Sequence, residues 1–255
     1  MQASLVAVLG RGVVPTGTPV MRADDPGVLG EGLFETMLVR DGRPWLLDEH
    51  LDRLTASAPA LGMAVPTSLA DFVLAACAQW PAEVEGALRL VCTPMTAFCT
   101  ISPVPPRVLS LRVRTLPASS GLPIKSLSYG PSLIARRQVA ASGVDDALWV
   151  SPDGYALEGP TASLVWLDGE TLCTVPPSAG VLPGVTAAWL LGQAPAQGWR
   201  AAHRMITPED LLATDGAWLA SSVRGLAEIR VLDGVELLPS LHTERLRSLV
   251  SRPPG

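Results

Sequence analysis

The sequence predicts a two-domain protein of the α/β class, with strands and helices mixed in an α+β manner. Its 255 residues exceed the roughly 150 residues of one typical domain. Runs that alternate apolar and polar residues, typical of strands, are interspersed with segments whose apolar residues recur at helical spacing. Residues 117–123 combine two prolines with small residues, which predicts a linker between domains at 1–116 and 124–255.

The first domain is predicted to contain two helices and several short strands. Asp41-Gly42 favours a tight hairpin turn, so the run before it should pair with the run after it. Asp48 is predicted to cap a helix that ends at Gly62, and a second helix is expected over 68–80. The predicted strands are 4–8, 12–15, 33–40, 44–47, 86–91, 97–102 and 108–116.

The second domain is predicted to mix strands and helices more evenly. Thr207, followed by Pro208 and two acidic residues, is typical of the start of a helix. Helices are expected over 130–142 and 185–197, and strands at 147–150, 155–158, 163–167 and 171–174.

Composition and charge argue against several classes of function. The net charge is −5, with 19 basic and 24 acidic residues, so nucleic acid is not an expected partner. The longest apolar runs are shorter than the roughly 18 residues of a membrane span, and residues 1–10 lack the basic start of a secretory signal, so a cytoplasmic location is expected. Four cysteines without a CxxC pair predict buried free thiols, and three histidines without ligand spacing predict no metal site.

One residue stands out in the basic composition. Of the 19 lysines and arginines, only Lys125 is a lysine. A coding bias towards arginine explains the excess, yet a lysine in such a chain is a candidate for chemistry that the permanently protonated arginine cannot perform. From composition alone, a solvated surface lysine remains the alternative.

Four blocks of residues carry a family resemblance, and their order and gaps fit from about residue 20 to about residue 235. They are 30–36 (GEGLFET), 49–54 (EHLDRL), 125–129 (KSLSY) with 143–148 (GVDDAL) and 154–158 (GYALE), and 182–186 (LPGVT). The chain resembles the fold-type IV pyridoxal phosphate enzymes, which include branched-chain and D-amino-acid aminotransferases and aminodeoxychorismate lyase.

The resemblance implies a fold and a cofactor. The expected fold is the two-domain D-amino-acid aminotransferase-like fold, with a smaller N-terminal α/β sandwich and a larger, barrel-like C-terminal α/β domain. The expected cofactor is pyridoxal 5'-phosphate, placed in the cleft between the domains. A homodimer whose partner helps to wall the site is also implied.

The resemblance assigns roles to individual residues. Lys125 would bond to the cofactor aldehyde and move protons, and Glu158 would pair with the pyridine nitrogen. Arg53 would grip the phosphate, and Tyr129 would hydrogen-bond the ring oxygen. A helix start and a later turn would also hold the phosphate, through Val185, Thr186 and Ser222. Each residue also has a purely structural alternative. Glu158 would be a solvated carboxylate, Arg53 part of a solvated helix face and Tyr129 a core phenol. Thr186 would be a helix cap, and Ser222 would lie in a plain turn.

The substrate-side residues depart from both aminotransferase patterns. The Arg-x-His pair with which D-amino-acid aminotransferases hold a carboxylate is absent from 92–98, and Phe34 replaces their tyrosine in the first block. The run after Glu158 lacks the Gly-x-x-Asn pattern of the branched-chain enzymes. The Lys-x-Leu spacing at Lys125 and a basic residue at Arg89 look more like aminodeoxychorismate lyase. Arg89 would then face a substrate carboxylate, although strands often expose an arginine to solvent.

The sequence therefore predicts a pyridoxal phosphate-dependent lyase that forms 4-aminobenzoate and pyruvate on the folate route. A branched-chain or D-amino-acid aminotransferase of the same fold is the main alternative. A non-catalytic relative that binds the cofactor as a scaffold is a third reading.

Overall fold

The computed structural model describes residues 4–118 and 123–251. These residues form two compact units of mixed α and β structure. Unit 1 contains the described residues up to Pro106 and the segment Ile124–Tyr129, and unit 2 contains the remaining described residues.

Unit 1 is built on one antiparallel sheet of six strands. The strands are β1 (Leu5–Val8), β2 (Gly12–Val14), β3 (Leu33–Arg40), β4 (Arg43–Pro44), β5 (Gly86–Cys92) and β6 (Ala97–Pro103). Their order across the sheet is β2-β1-β6-β5-β3-β4. Two helices, α1 (Leu47–Ser57) and α2 (Leu69–Cys77), pack against the sheet.

The alternation of side chains along β3 separates two faces of this sheet. Leu33 and Met37 join the apolar core together with Leu54 of α1, so Glu35, which lies between them in the strand, points to the same face. Phe34 and Thr36 point to the opposite face. This central strand therefore presents one set of side chains to the helices and another to the far side.

The hairpin turn at Asp41-Gly42 is confirmed, because both residues adopt the positive φ values that such a turn requires. The strand predicted at 44–47 is too long, since β4 ends at Pro44. The predicted cap at Asp48 is wrong, because the helix already begins at Leu47 and Leu46 is its N-cap. The physical reason is burial. Trp45 and Leu46 are 5% and 4% exposed, and the packing of these two side chains in the core determines the residue at which the helix begins.

Unit 2 is built on a nine-stranded sheet. Its strands are β7 (Ser110–Pro117), β8 (Asp146–Val150), β9 (Glu158–Gly159), β10 (Ala162–Asp168), β11 (Thr171–Thr174), β12 (Arg200–His203), β13 (Gly216–Ser221), β14 (Gly225–Leu232) and β15 (Val235–Glu236). The main order is β12-β11-β10-β13-β14-β7-β8, with β9 paired to β10 and β15 to β14. Its helices are α3 (Gly130–Ala140), α4 (Val185–Gln193), α5 (Pro208–Leu211) and α6 (Thr243–Ser251).

The sheet of unit 2 contains parallel and antiparallel pairs. Strand β7 runs parallel to both β8 and β14, and β11 runs parallel to β12. Helix α4 packs against β10, β11 and β13 as well as against α6. The helix predicted over 185–197 ends earlier, at Gln193, because Pro195 lacks the N–H that would continue it and begins a short 3₁₀ turn instead.

Two smaller predictions are confirmed in the same way. Thr207 caps α5 by accepting a hydrogen bond from the backbone N–H of Asp210. All four cysteines are free and buried. Burial raises the pKa of Cys77, Cys92 and Cys99 to about 12, so these thiols stay protonated and unreactive.

The division into units differs from the predicted boundary. Residues 124–129 belong to unit 1, because the chain there runs beside β3 and hydrogen-bonds to it. Residues 107–118 belong to unit 2, because they include strand β7 of its sheet. Of the predicted linker at 117–123, residues 119–122 lie outside the described residues, so the linker stays a prediction. No helix among the described residues is both long and apolar enough to span a membrane.

Candidate active site

Lys125 lies beside the central strand of unit 1. The backbone N–H of Phe34 donates to the carbonyl of Lys125 at 2.9 Å, and Leu127 donates to Gly32 at 2.9 Å. Ser126 forms a β-bridge with Leu33. The segment that carries the lysine is therefore held against the edge of β3 by backbone hydrogen bonds, which fixes where its side chain begins.

The glycine-rich loop at 30–32 is required for this close approach. A Cβ atom added to Gly32 would lie 2.7 Å from Leu127 and 2.8 Å from the carbonyl of Cys92. Gly30 has a φ of +95°, and a Cβ there would lie 2.6 Å from the hydroxyl of Ser128. The two glycines thus allow the loop to pack against the residues that follow Lys125.

Aromatic and cationic side chains surround Phe34. The Nζ atom of Lys125 lies 4.7 Å from the centroid of the Phe34 ring, and the Arg89 guanidinium lies 3.9 Å from it. Tyr129 meets the same ring edge-on, with 5.4 Å between centroids. The structure thus brings together four of the residues that the sequence predicted for the site.

Arg89 is a half-buried cation on the Phe34 ring. No carboxylate among residues 4–118 and 123–251 lies within ion-pair distance of it. Burial lowers the pKa of Arg89, while Tyr129 acts in the opposite direction, but a guanidinium stays protonated at neutral pH. A positive charge in this position is stabilised by an anionic ligand.

Arg53 is held by a buried carboxylate. Its Nε donates to Glu35 Oε1 at 2.8 Å and its Nη2 donates to Glu35 Oε2 at 2.6 Å. Glu35 Oε2 also lies 2.7 Å from Nδ1 of His50. The side chains of Glu35 and His50 are 0% and 1% exposed. These three residues form a hydrogen-bonded polar group between β3 and α1, named here the Glu35 cluster.

The protonation of the Glu35 cluster follows from its surroundings. Burial by itself raises the pKa of Glu35, but the hydrogen bonds from His50 and Arg53, together with the positive charge of Arg53, outweigh burial and lower that pKa from 4.5 to about 2. Burial is the largest effect on His50 and lowers its pKa. The hydrogen bond and negative charge of Glu35 oppose this, the charges of Arg53 and Lys125 add to it, and the pKa is lowered overall. Glu35 is therefore anionic and His50 is neutral at pH 7, so His50 donates its Nδ1 proton to Glu35.

In unit 2, Glu158 is hydrogen-bonded to the segment that leads into α4. Its Oε1 accepts a hydrogen bond from the backbone N–H of Leu182 at 3.1 Å, and Glu158 pairs with Ser163 in the sheet. A Cβ atom added to Gly184 would lie only 2.0 Å from the hydroxyl of Ser163. Close packing of the β10 start against the N-terminus of α4 therefore depends on a glycine at 184.

The hydroxyl groups of Thr186 and Ser222, both predicted to bind the phosphate, lie next to each other at the start of α4. Thr186 Oγ1 and Ser222 Oγ lie 3.2 Å apart. Val185 is the first residue of α4, and no side chain caps the helix at Gly184. The first N–H groups of a helix lack acceptors within the helix and, with the helix dipole, favour an anion. Val185, Thr186 and Ser222 thus supply donors that fit a phosphate group.

The residues present fit pyridoxal phosphate. In unit 1, Lys125 offers a primary amine. In unit 2, Glu158 offers a carboxylate, and the start of α4 offers backbone and hydroxyl donors beside Gly184, where Ser163 occupies the space that a Cβ atom would need. The individual contacts of Lys125, Tyr129, Glu158, Arg53 and the phosphate-side residues with a cofactor stay predictions.

Glu35 and His50 were not among the predicted site residues, although both lie in the blocks that carry the family resemblance. A signal was present: His50 and Arg53 are three residues apart on a helix and therefore share a face, and Glu35 interrupts the apolar positions of β3. The ion pair between Asp146 and Arg224 was also missed. Its partners are far apart in the sequence, so no local pattern indicates it.

Comparison with known proteins gives the family. The family described as Amino-transferase class IV matches residues 32–232. A bifunctional aminodeoxychorismate lyase / D-amino acid transaminase of Mycobacterium tuberculosis is 35% identical, over 91% of this chain and 93% of that protein.

Solved structures give the same result. The PLP-bound form of a hypothetical aminotransferase from Mycobacterium tuberculosis has a TM-score of 0.89 at 34% identity and covers 98% of each chain. Its form with alpha-ketoglutarate and PMP has a TM-score of 0.90 at 34% identity, covering 97% of each chain.

These findings confirm the predicted fold and, at the level of the family, the predicted cofactor, since class IV aminotransferases use pyridoxal phosphate. The match spans both units, from the glycine-rich loop that packs beside Lys125 to the strand that follows Ser222. The chain is a member of the class IV aminotransferase family of pyridoxal phosphate enzymes.

Proposed function

We propose that this chain is an aminodeoxychorismate lyase, which converts 4-amino-4-deoxychorismate to 4-aminobenzoate and pyruvate. The observation that carries the proposal is Arg89, a half-buried cation that lies on the Phe34 ring and has no acidic partner among the residues that the structure describes. The lyase activity named for the Mycobacterium tuberculosis relative supports it.

The two cations on Phe34 indicate an anionic substrate. Arg89 and Lys125 lie 3.9 and 4.7 Å from the centroid of the same ring, and a half-buried guanidinium favours an anionic ligand. A carboxylate bound by Arg89 would place the rest of the substrate close to the Phe34 ring and the Lys125 amine. Aminodeoxychorismate carries two carboxylates and therefore meets this requirement.

Lys125 has two tasks in the proposal. Its amine would hold the cofactor, and during turnover the same amine would remove a proton from the substrate ring. Pyridoxal phosphate supplies the electron sink for this proton removal. Because Lys125 is tethered beside β3, the proton transfer occurs within one complex, which lowers a barrier by up to about 7–11 kcal/mol in ideal geometry.

The reaction needs no further reactant. One ring C–H bond and the C–O bond to the enolpyruvyl group break, the ring becomes aromatic, and the released enolpyruvate takes up a proton to become pyruvate. Arg89 would hold a substrate carboxylate during these steps, and Phe34 and Tyr129 would form the apolar wall beside the ring.

The direct test is a product assay on the purified protein loaded with pyridoxal phosphate. With aminodeoxychorismate we expect equal amounts of pyruvate, measured with lactate dehydrogenase, and 4-aminobenzoate, measured by chromatography. Absence of both products, together with conversion of an amino acid to its oxoacid, would overturn the lyase assignment in favour of the transaminase.

Two variants test the residues. Lys125→Ala should lose turnover, and borohydride reduction followed by mass spectrometry should find the cofactor on Lys125 in the wild type only. Arg89→Gln removes a charged hydrogen-bond donor, so kcat/KM should fall by about tenfold to a hundredfold, mainly through KM. Arg89→Lys, which keeps the charge, should recover part of the loss. An Arg89→Gln enzyme with unchanged KM would show that Arg89 does not hold the substrate.

An aminotransferase acting on D- or branched-chain amino acids is the second candidate. The second activity named for the Mycobacterium tuberculosis relative and the alpha-ketoglutarate-bound structure favour it. The test is transfer from D-alanine or L-leucine to 2-oxoglutarate under the conditions of the lyase assay. Both activities in one protein would match that relative.

We also propose a homodimer in the cytoplasm, with a role in forming the 4-aminobenzoate used for folate. The family resemblance supports the dimer, and the four buried free thiols are typical of a reducing compartment. Light scattering after gel filtration measures the dimer, and growth of a 4-aminobenzoate-requiring strain that lacks its own lyase measures the folate role.

A further inference from the structure

A buried ion pair joins two parts of unit 2 next to the predicted phosphate residues. Arg224 Nη1 donates to Asp146 Oδ2 at 2.7 Å. Asp146 opens β8 and its side chain is 1% exposed, whereas that of Arg224 is 19% exposed. The Nη2 atom of Arg224 lies 3.5 Å from Thr161 Oγ1, in the turn after β9. The guanidinium therefore links β8, the turn at 160–161 and its own turn.

Ser222 lies in that same turn. The chain passes from β13 to β14 through Ser222, Val223 and Arg224, and the turn closes at the Ser221–Gly225 pair with Gly225 at a φ of +76°. A short hairpin of this kind forms from its own backbone. Its side chains are additionally fixed at two points, Ser222 against Thr186 and Arg224 against Asp146.

We propose that the Asp146–Arg224 ion pair positions the Ser222 turn for phosphate binding, with Asp146 and Arg224 acting as positioning residues. A buried ion pair adds little net stability because desolvation offsets its attraction, but it restricts the groups that it joins to one arrangement. Here that arrangement brings the Ser222 hydroxyl to the start of α4. The inference rests on the proposed phosphate site and is independent of the choice between lyase and aminotransferase.

The turn at 160–161, which Arg224 also contacts, connects the ion pair to other predicted cofactor-binding residues. Thr161 directly precedes β10, whose Ser163 fills the space above Gly184, and Glu158 lies three residues before Thr161. Arg224 thus contacts the turn between the predicted pyridine-nitrogen partner and the strand that packs on the phosphate-side helix. Loosening this contact should affect the phosphate end first.

The test compares two ligands that differ only in the phosphate, pyridoxal phosphate and pyridoxal, in titrations of the apo-protein followed by absorbance and tryptophan fluorescence. In Arg224→Met the affinity for pyridoxal phosphate should fall by about tenfold or more, the effect of about one charged hydrogen bond. The affinity for pyridoxal should change by less than about threefold, a small effect on the affinity scale. Arg224→Lys should restore part of the preference for the phosphate form.

Arg247→Met is the matched control. Arg247 lies in unit 2 and its side chain is 18% exposed. It hydrogen-bonds to Glu244 and to the carbonyls of Leu109 and Leu226, so it contacts β14 just beyond the Ser222 turn without touching Asp146 or Thr161. It should lower the melting temperature without changing the ratio of the two affinities. An Arg224→Met protein whose two affinities fall in parallel, or whose affinity ratio equals that of the control, would overturn the inference.

A further variant covers the case in which a single charge left in the interior prevents folding. The double variant Asp146→Asn with Arg224→Met leaves no uncompensated charge and carries the same expectation. The wild type separates the two proposals: if it does not prefer pyridoxal phosphate over pyridoxal, the phosphate site itself is wrong. If the wild type has the preference and the double variant keeps all of it, only the positioning role is wrong.

Discussion

The Glu35 cluster gives the sharpest test of the reasoning, through the substitution Glu35→Gln. Glutamine has the same shape but no charge, so the substitution would break the ion pair that Glu35 forms with Arg53, whose side chain is 9% exposed. Breaking a buried ion pair in this way costs about 3–5 kcal/mol.

The lowered pKa of Glu35 gives a similar magnitude. The change from 4.5 to about 2, at about 1.4 kcal/mol for each pH unit, corresponds to about 3 kcal/mol of folding free energy. Because the pKa is lower in the folded protein than in the unfolded chain, this stabilisation is complete above about pH 4.5 and is lost as the pH falls towards 2. His50 acts in the same direction, since its lowered pKa removes stability below about pH 6.5.

The assay is urea unfolding of the apo-protein, followed by circular dichroism from pH 7 down to pH 3.5. Glu35→Gln should lower the free energy of unfolding by about 3–5 kcal/mol at pH 7, and this difference from wild type should shrink below about pH 4.5. Glu85→Gln is the matched control, because its pair with Arg40 is partly exposed and should contribute about 0–1 kcal/mol. A Glu35→Gln cost no greater than that of the control, or one unchanged at pH 3.5, would refute the account of the cluster.

Three further predictions concern unit 2. Gly184→Ala should weaken pyridoxal phosphate binding in an equilibrium titration, because the added Cβ would lie 2.0 Å from Ser163 Oγ; unchanged affinity would show that the helix start can move freely. Gly192→Ala, in the same helix but with nothing within 4 Å of the added Cβ, should instead raise the free energy of unfolding by about 0.4–1 kcal/mol and leave binding unchanged. Thr207→Ala removes the cap that bonds to Asp210 and should cost about 1 kcal/mol in the same unfolding assay; no measurable loss would mean that α5 is held by other contacts.

Sequence patterns were most informative where structure depends on neighbours in the chain. The Asp41-Gly42 turn, the Thr207 cap and the strand at 33–40 follow from local conformational preference and alternation. The start of α1 at Leu47 did not, because burial of Trp45 and Leu46 overrides the capping preference of Asp48. Tertiary packing decides such boundaries.

The residues of the candidate site could be identified from the sequence, but most of their contacts could not. The sequence by itself identified the only lysine, the family blocks and the hydroxyls that meet at α4, because these are properties of residue type and order. The tertiary structure decided that Arg53 is bound by Glu35 across 18 residues, that Arg224 is bound by Asp146 across 78 residues, and that the Lys125 segment lies on β3. Ion pairs between distant residues form only once the chain has folded and has removed their charges from water, so a local pattern can mark one partner, as Glu35 does in β3, but cannot identify the pair.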